Sequence, residues 1–134
     1  MPIFTYPFVA TRAGDLARPY LPVAIKNPAT DQRVSVYALI DTGADECALP
    51  ASFAILLGHH LEAGDTREVN TGNGTTTAYA HTTIIEAMGF SAQSVLLDYM
   101  PNLTTPLLGT RSFLSVFKLT IDYPSKQFSL ELPD

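Results

Sequence analysis

The chain has 134 residues and a mass of 14.5 kDa, room for one compact domain spanning 1–134 and not for two of ordinary size. Its 46% apolar and 16% charged residues exclude a disordered tail or a coiled coil, and a chain this long buries roughly two-thirds of its unfolded surface. Eight basic and thirteen acidic residues leave a net charge of −5, which argues against nucleic acid as a partner, since phosphate binding needs a Lys/Arg footprint.

Met1 to Ala10 is apolar, but Pro2 and Pro7 interrupt it and no basic stretch precedes it, so it does not read as a signal peptide. Tyr20 to Ile25 and Arg33 to Ile40 are β-branched, apolar runs joined by the turn-forming cluster Lys26 to Asp31, and they predict a hairpin. In the second run Val34, Val36, Ala38 and Ile40 share one face, with Ser35, Tyr37 and Leu39 on the other. Cys47 is the lone cysteine, which excludes an internal disulfide and predicts a small buried hydrophobe. Cys47 to Gly58 is the longest uncharged apolar stretch in the first half and falls far short of the roughly 18 residues a bilayer span needs. No membrane segment is predicted, and the expected setting is cytoplasmic.

Leu49 to Leu57 predicts a short helix, with Pro50 in its first turn and Gly58 at its end. His59 to Asp65 follows as a loop, in which the adjacent His59 and His60 read as solvated and not as metal ligands. Thr71-Gly72-Asn73-Gly74 is a hairpin tip leading into a strand over Thr75 to Ala87. Gly89 marks a turn, and Ser94 to Tyr99 is a further strand. Ser112 to Phe117 fits a second short helix. Leu119, Ile121 and Tyr123, then Phe128, Leu130 and Leu132, alternate with polar residues around Pro124-Ser125-Lys126, a half-buried hairpin. The fold class is all-β with one or two helical turns.

Chemistry concentrates in Ala38-Leu39-Ile40-Asp41-Thr42-Gly43-Ala44-Asp45, where a buried strand ends abruptly in a carboxylate, a hydroxyl and a glycine. A carboxylate at such a place has to be paired or hydrogen-bonded. Thr42 can bond nearby backbone, and Gly43 lets the chain turn and approach a ligand. Alone, Asp-Thr-Gly is read equally well as an ordinary strand-ending turn.

The wider pattern resembles the retroviral-type aspartic proteases, the retropepsins. In that family two apolar residues precede Asp-Thr-Gly-Ala-Asp, as Leu39 and Ile40 do here. Leu107-Leu108-Gly109 followed by Phe113-Leu114 is similar to the family's second signature, and Val69 to Ala80 stands where the family has its flap hairpin. The order holds over most of Arg33 to Phe117, and Phe117 to Tyr123 looks like the next strand of cellular and bacterial single-domain relatives.

The resemblance implies a closed acid-protease fold that dimerises, because only Asp41 is followed by Thr-Gly and the chemistry takes two carboxylates. It implies Asp41, Thr42 and Gly43 as the catalytic motif, and Ala44, Asp45, Gly72, Asn73, Gly74, Thr75, Leu107 and Leu108 as residues that bind a peptide or protein substrate. No metal or other cofactor is implied. Two departures stand out. Retroviral members carry an Arg directly after the second-signature glycine, paired with the Asp that corresponds to Asp45; here Thr110 intervenes, so Arg111 is expected either to reach Asp45 or to lie in solvent. Retroviral chains also end soon after the helix in an interface strand, whereas this one continues into the 118–132 hairpin. The rival reading from another class is an inactive module of the same fold that dimerises or binds peptides.

Overall fold

The computed structural model describes residues 2–71 and 74–132. Its strands are β1 (Ile3–Pro7), β2 (Tyr20–Lys26), β3 (Arg33–Ile40), β4 (Ala48–Pro50), β5 (Asp65–Thr71), β6 (Gly74–Ala87), β7 (Phe90–Met100), β8 (Leu107–Leu108), β9 (Lys118–Asp122) and β10 (Gln127–Glu131). One α-helix, α1 (Ser52–Leu56), and single 3₁₀ turns at Leu61–Ala63 and Leu114–Val116 complete the described elements. None of these helices is long and apolar enough to cross a membrane.

The larger sheet runs β2-β3-β8-β4-β7-β6-β5, and β2 also pairs with β6 through Ala24↔Glu86 to Lys26↔Ile84. That pairing closes the first six strands on themselves, so β5 remains as an arm whose strand pairing, among the described residues, is with the long strand β6 alone. The predicted β2–β3 hairpin is present, with Tyr20 opposite Leu39 and Lys26 opposite Arg33. Ala38 and Ile40 are buried and Val34 and Val36 pack on the core, while Ser35 and Tyr37 face out, as period-2 alternation requires. Met88 and Gly89, both at positive φ, make the tight turn between β6 and β7.

The second sheet, β1-β10-β9, contains the predicted C-terminal hairpin and buries Phe128 and Leu130 in the main core. Its third strand is the N-terminal one. Ile3↔Glu131 through Pro7↔Gln127 pair residues from opposite ends of the chain, a partnership that local pattern does not announce.

The helical expectations are shortened. The helix predicted over Leu49 to Leu57 starts only at Ser52, because Ala48–Pro50 is drawn into the sheet beside β7. Pro50 has no N–H to give, and the Ala51 N–H takes over, bonding the Met100 carbonyl at 3.1 Å. The predicted second helix is a single 3₁₀ turn, and the predicted loop after His59 holds another before β5 begins at Asp65. Beneath β5 a small cluster of Ala48, Ala78 and Met100, flanked by Val69, Leu103 and Leu107, separates this arm from the main core.

Candidate active site

Asp41 lies where β3 leaves the sheet. β3 and β8 are parallel, with Ile40 opposite Leu108, and the Asp41 N–H bonds the Leu108 carbonyl at 3.1 Å. The chain then turns tightly. The Ala44 N–H bonds the Asp41 carbonyl at 3.1 Å, and the Gly43 N–H donates to Asp41 Oδ1 at 3.0 Å, which supplies the predicted partner for the carboxylate. Gly43 is not at positive φ, so the turn itself does not need a glycine there. A Cβ on Gly43 would stand 3.4 Å from Asp41 Oδ1, and its absence leaves that flank of the carboxylate uncovered.

The second signature acts as a buttress for this loop. The Thr110 N–H and hydroxyl both donate to the Ala44 carbonyl, at 2.8 and 3.2 Å, and the Arg111 N–H bonds the Asp45 carbonyl at 2.8 Å. Ser112 Oγ accepts the Cys47 N–H at 2.8 Å, and Cys47 Sγ accepts the Gly109 N–H at 3.4 Å. Cys47 is wholly enclosed, and burial pushes its thiol up, as suits the inert buried hydrophobe predicted. Gly109 passes so close to Glu46 that a Cβ would lie 2.4 Å from its carbonyl carbon and oxygen.

A cleft of about 570 Å3 opens between this loop and the β5 arm. Asp41, Gly43, Ala44, Asp45 and Leu107 line it, so five of the predicted site residues converge. Thr42 is exposed beside it, outside the lining. Leu108 is not brought to the cleft: it is buried in the main core, because adjacent strand residues point to opposite faces. Thr75 is exposed on β6, where its hydroxyl bonds Asn70 Oδ1 at 3.3 Å, and Gly74 pairs with Thr71 nearer the tip. Gly72 and Asn73 lie outside the described residues.

The Arg111 side chain does not reach the Asp45 carboxylate; it lies largely in solvent, as the second of the two expectations has it, but not unpaired. Its Nε bonds Glu46 Oε1 at 2.8 Å, so the one-residue shift after Gly109 moves the ion pair one residue along the loop. The pair Arg67–Asp98 escaped the sequence reading. Arg67, on β5, donates through Nε to both carboxylate oxygens of Asp98 on β7, at 3.2 and 3.1 Å, and also through Nη2. Asp98 is buried, and Arg67 lines the cleft. A charged residue inside the apolar run Val95 to Met100 was the available signal, since a buried carboxylate demands a partner.

His59 departs from its expected solvated place. Its ring lies 4.5 Å from that of His81 and 5.4 Å from that of Tyr99, and Nε2 is buried with no hydrogen-bond partner. His60 is exposed. Among the described residues no group of three or more His, Cys, Asp or Glu is placed to hold a metal ion.

A family model described as gag-polyprotein putative aspartyl protease matches residues 29–115. The fold matches the crystal structure of a retropepsin-like aspartic protease from Rickettsia conorii at 25% identity and a TM-score of 0.71, covering 97% of this chain and 99% of that one. EIAV protease, solved with a bound inhibitor, shares the fold at 19% identity and a TM-score of 0.55, over 80% of this chain and 93% of its own. No match is found among curated protein sequences.

Proposed function

The chain belongs to the gag-type aspartyl protease family, retropepsin-like in fold, and from that premise we propose that it is a homodimeric aspartic endopeptidase. The observation that carries the reading is Asp41 lining a substrate-sized cleft on a loop locked by the second signature. Each chain offers one such carboxylate. Asp98 in the same cleft is held by Arg67, and no other acidic residue of the chain carries the Asp-Thr-Gly motif, so the second reactive carboxylate of this reading is the Asp41 of another copy.

Two carboxylates facing each other across a two-fold axis share one proton, because like charges that close do not both ionise. The ionised one takes a proton from water as that water attacks the peptide carbonyl carbon. The protonated one supports the carbonyl oxygen, and a proton passes to the amide nitrogen as the C–N bond breaks. Thr42 links the two loops across the axis. Gly43, Ala44 and Asp45 bind substrate backbone from below, Leu107 supplies apolar wall, and the residues Gly72 to Thr75 bind the backbone of the peptide, which adds to them like a strand.

Digestion of a peptide library by the wild type and Asp41→Asn, at mildly acid and neutral pH, tests this. The wild type cleaves with a bell-shaped pH profile, its specific activity falls as dilution dissociates the dimer, and the isosteric Asn variant keeps the fold but cleaves nothing. Undiminished cleavage by the purified variant would overturn the mechanism.

A further inference from the structure

A second concavity, of about 300 Å3, has Leu39 and Ile40 in its wall, the two residues that run into Asp41, and it shares no lining residue with the cleft. Its other walls are the segment from Leu16 to Pro19 and the turn between β9 and β10. Backbone bonds hold these walls together. The Ile40 N–H bonds the Pro19 carbonyl at 2.9 Å, Val9 and Arg18 exchange bonds of 3.0 and 2.9 Å, and the Phe8 N–H bonds the Lys126 carbonyl at 2.8 Å. The Phe8 ring meets Tyr123 edge-on, with centroids 5.6 Å apart. Leu16 and Tyr123 nevertheless stand 67% and 66% exposed at the lip of a groove that is otherwise tied down.

We propose that this groove is the self-association face of the chain, packing isologously against the same face of a second copy and taking up its Leu16 and Tyr123. The inference rests on the dimeric reading above. For two Asp41 carboxylates to share a proton they must lie about 3 Å apart, which places the two-fold axis beside Asp41. Surface that adjoins Asp41 without belonging to the cleft is then pressed against its own copy. The groove is that surface. No carboxylate lines it, and its two charged residues, Arg18 and Lys126, are basic, so two chains of net charge −5 meet there without opposing their acidic surplus. The C-terminal strand β10 is also committed within one chain, paired by β1 on one side and β9 on the other. The segment that ends retroviral chains as an interface strand is here folded back, and its turn supplies Tyr123 to the groove instead.

The test compares the full wild-type chain with Leu16→Glu/Tyr123→Glu by sedimentation equilibrium and by peptide cleavage over a concentration series, with circular dichroism to verify the fold. Both residues are at the surface, and the milder Leu16→Ser/Tyr123→Ser serves should the charged pair disturb folding. The dimer dissociation constant is expected to rise on the order of 100-fold, as for loss of central anchor residues. Activity is lost at concentrations where the wild type is dimeric and returns at higher ones. Ile55→Glu, on the 80% exposed residue of α1, leaves both readouts unchanged. A variant that dimerises as tightly as wild type, or dissociation by Ile55→Glu instead, would overturn the proposal while leaving the protease dimer standing. A wild type that cleaves peptides as a monomer would overturn the dimeric reading itself, and this inference with it.

Discussion

Gly109 has no room for a side chain, and the reason is steric and not conformational: its φ is not positive, yet a Cβ would fall inside the van der Waals shell of the Glu46 backbone. Backbone cannot step aside as the end of a flexible side chain can. Gly109→Ala must push the Glu46 segment away, and with it the Thr110–Ala44 and Arg111–Asp45 bonds that hold the Asp41 loop. A loss of about 2 kcal/mol or more in urea unfolding is expected, as for overpacking elsewhere. Cleavage activity should fall further than the residual folded fraction accounts for. The motif Leu107-Leu108-Gly109 was legible in the sequence, but not the division of labour inside it. Leu107 faces the cleft while Leu108 is buried in the core, because the strand that carries them alternates its faces.

At the scale of the element, the β5 arm owes its position to one pair of strands and one ion pair. Among the described residues β5 pairs as a strand only with β6, from Asp65↔Ala80 to Thr71↔Gly74, and a two-stranded ribbon is marginal by itself in water. Arg67 ties it across to β7 through the buried Asp98, directly over the cleft. Removing Arg67 alone strands a carboxylate in a place shielded from water. Arg67→Met should therefore cost about 2 kcal/mol, and Arg67→Met/Asp98→Leu should recover part of that loss. A double-mutant cycle in chemical denaturation, read beside KM, separates the two roles: the arm's position affects KM even where stability is restored. The apolar run around Asp98 signals that it needs a partner but not which one, since Arg67 and Asp98 are thirty-one residues apart and meet only once β6 bridges β5 and β7.

Across the whole molecule, His59 joins elements that are far apart in the chain. Its ring packs between His81 on β6 and Tyr99 on β7, and Asn27 from the end of β2 bonds both the Leu57 carbonyl at 2.7 Å and His59 Nδ1 at 3.4 Å. Burial, and then the neighbouring His81, hold the His59 imidazole below its ordinary value of 6.5. The unfolded chain thus takes up this proton before the folded one does. The contribution is fully present above pH 6.5 and is lost as the pH falls through the lower folded value. Urea midpoints measured from pH 7.5 to pH 5 should show wild-type stability falling with acid, and His59→Phe, which cannot titrate, should show a shallower fall. Equal slopes would remove His59 from the account. Burial also pushes the Tyr99 phenol beside it up to about 12, so it stays neutral through this range.

The sequence by itself determined what is local or periodic. Alternation over Arg33 to Ile40 and over the C-terminal hairpin set which faces are buried, and the Asp-Thr-Gly and Leu-Leu-Gly motifs marked the loop and its buttress. Tertiary structure alone decided the partnerships between distant segments. It took Ala48–Pro50 out of the predicted helix and into a parallel pairing with β7, and it gave β10 the N-terminal strand as a neighbour. It also sent the Arg111 side chain to Glu46 instead of Asp45 and packed the His59 ring against His81 and Tyr99. The reason is physical. Side-chain periodicity is written into each strand by backbone geometry, whereas a sheet neighbour or an ion-pair partner depends on which distant segments the closed barrel brings within a few ångströms.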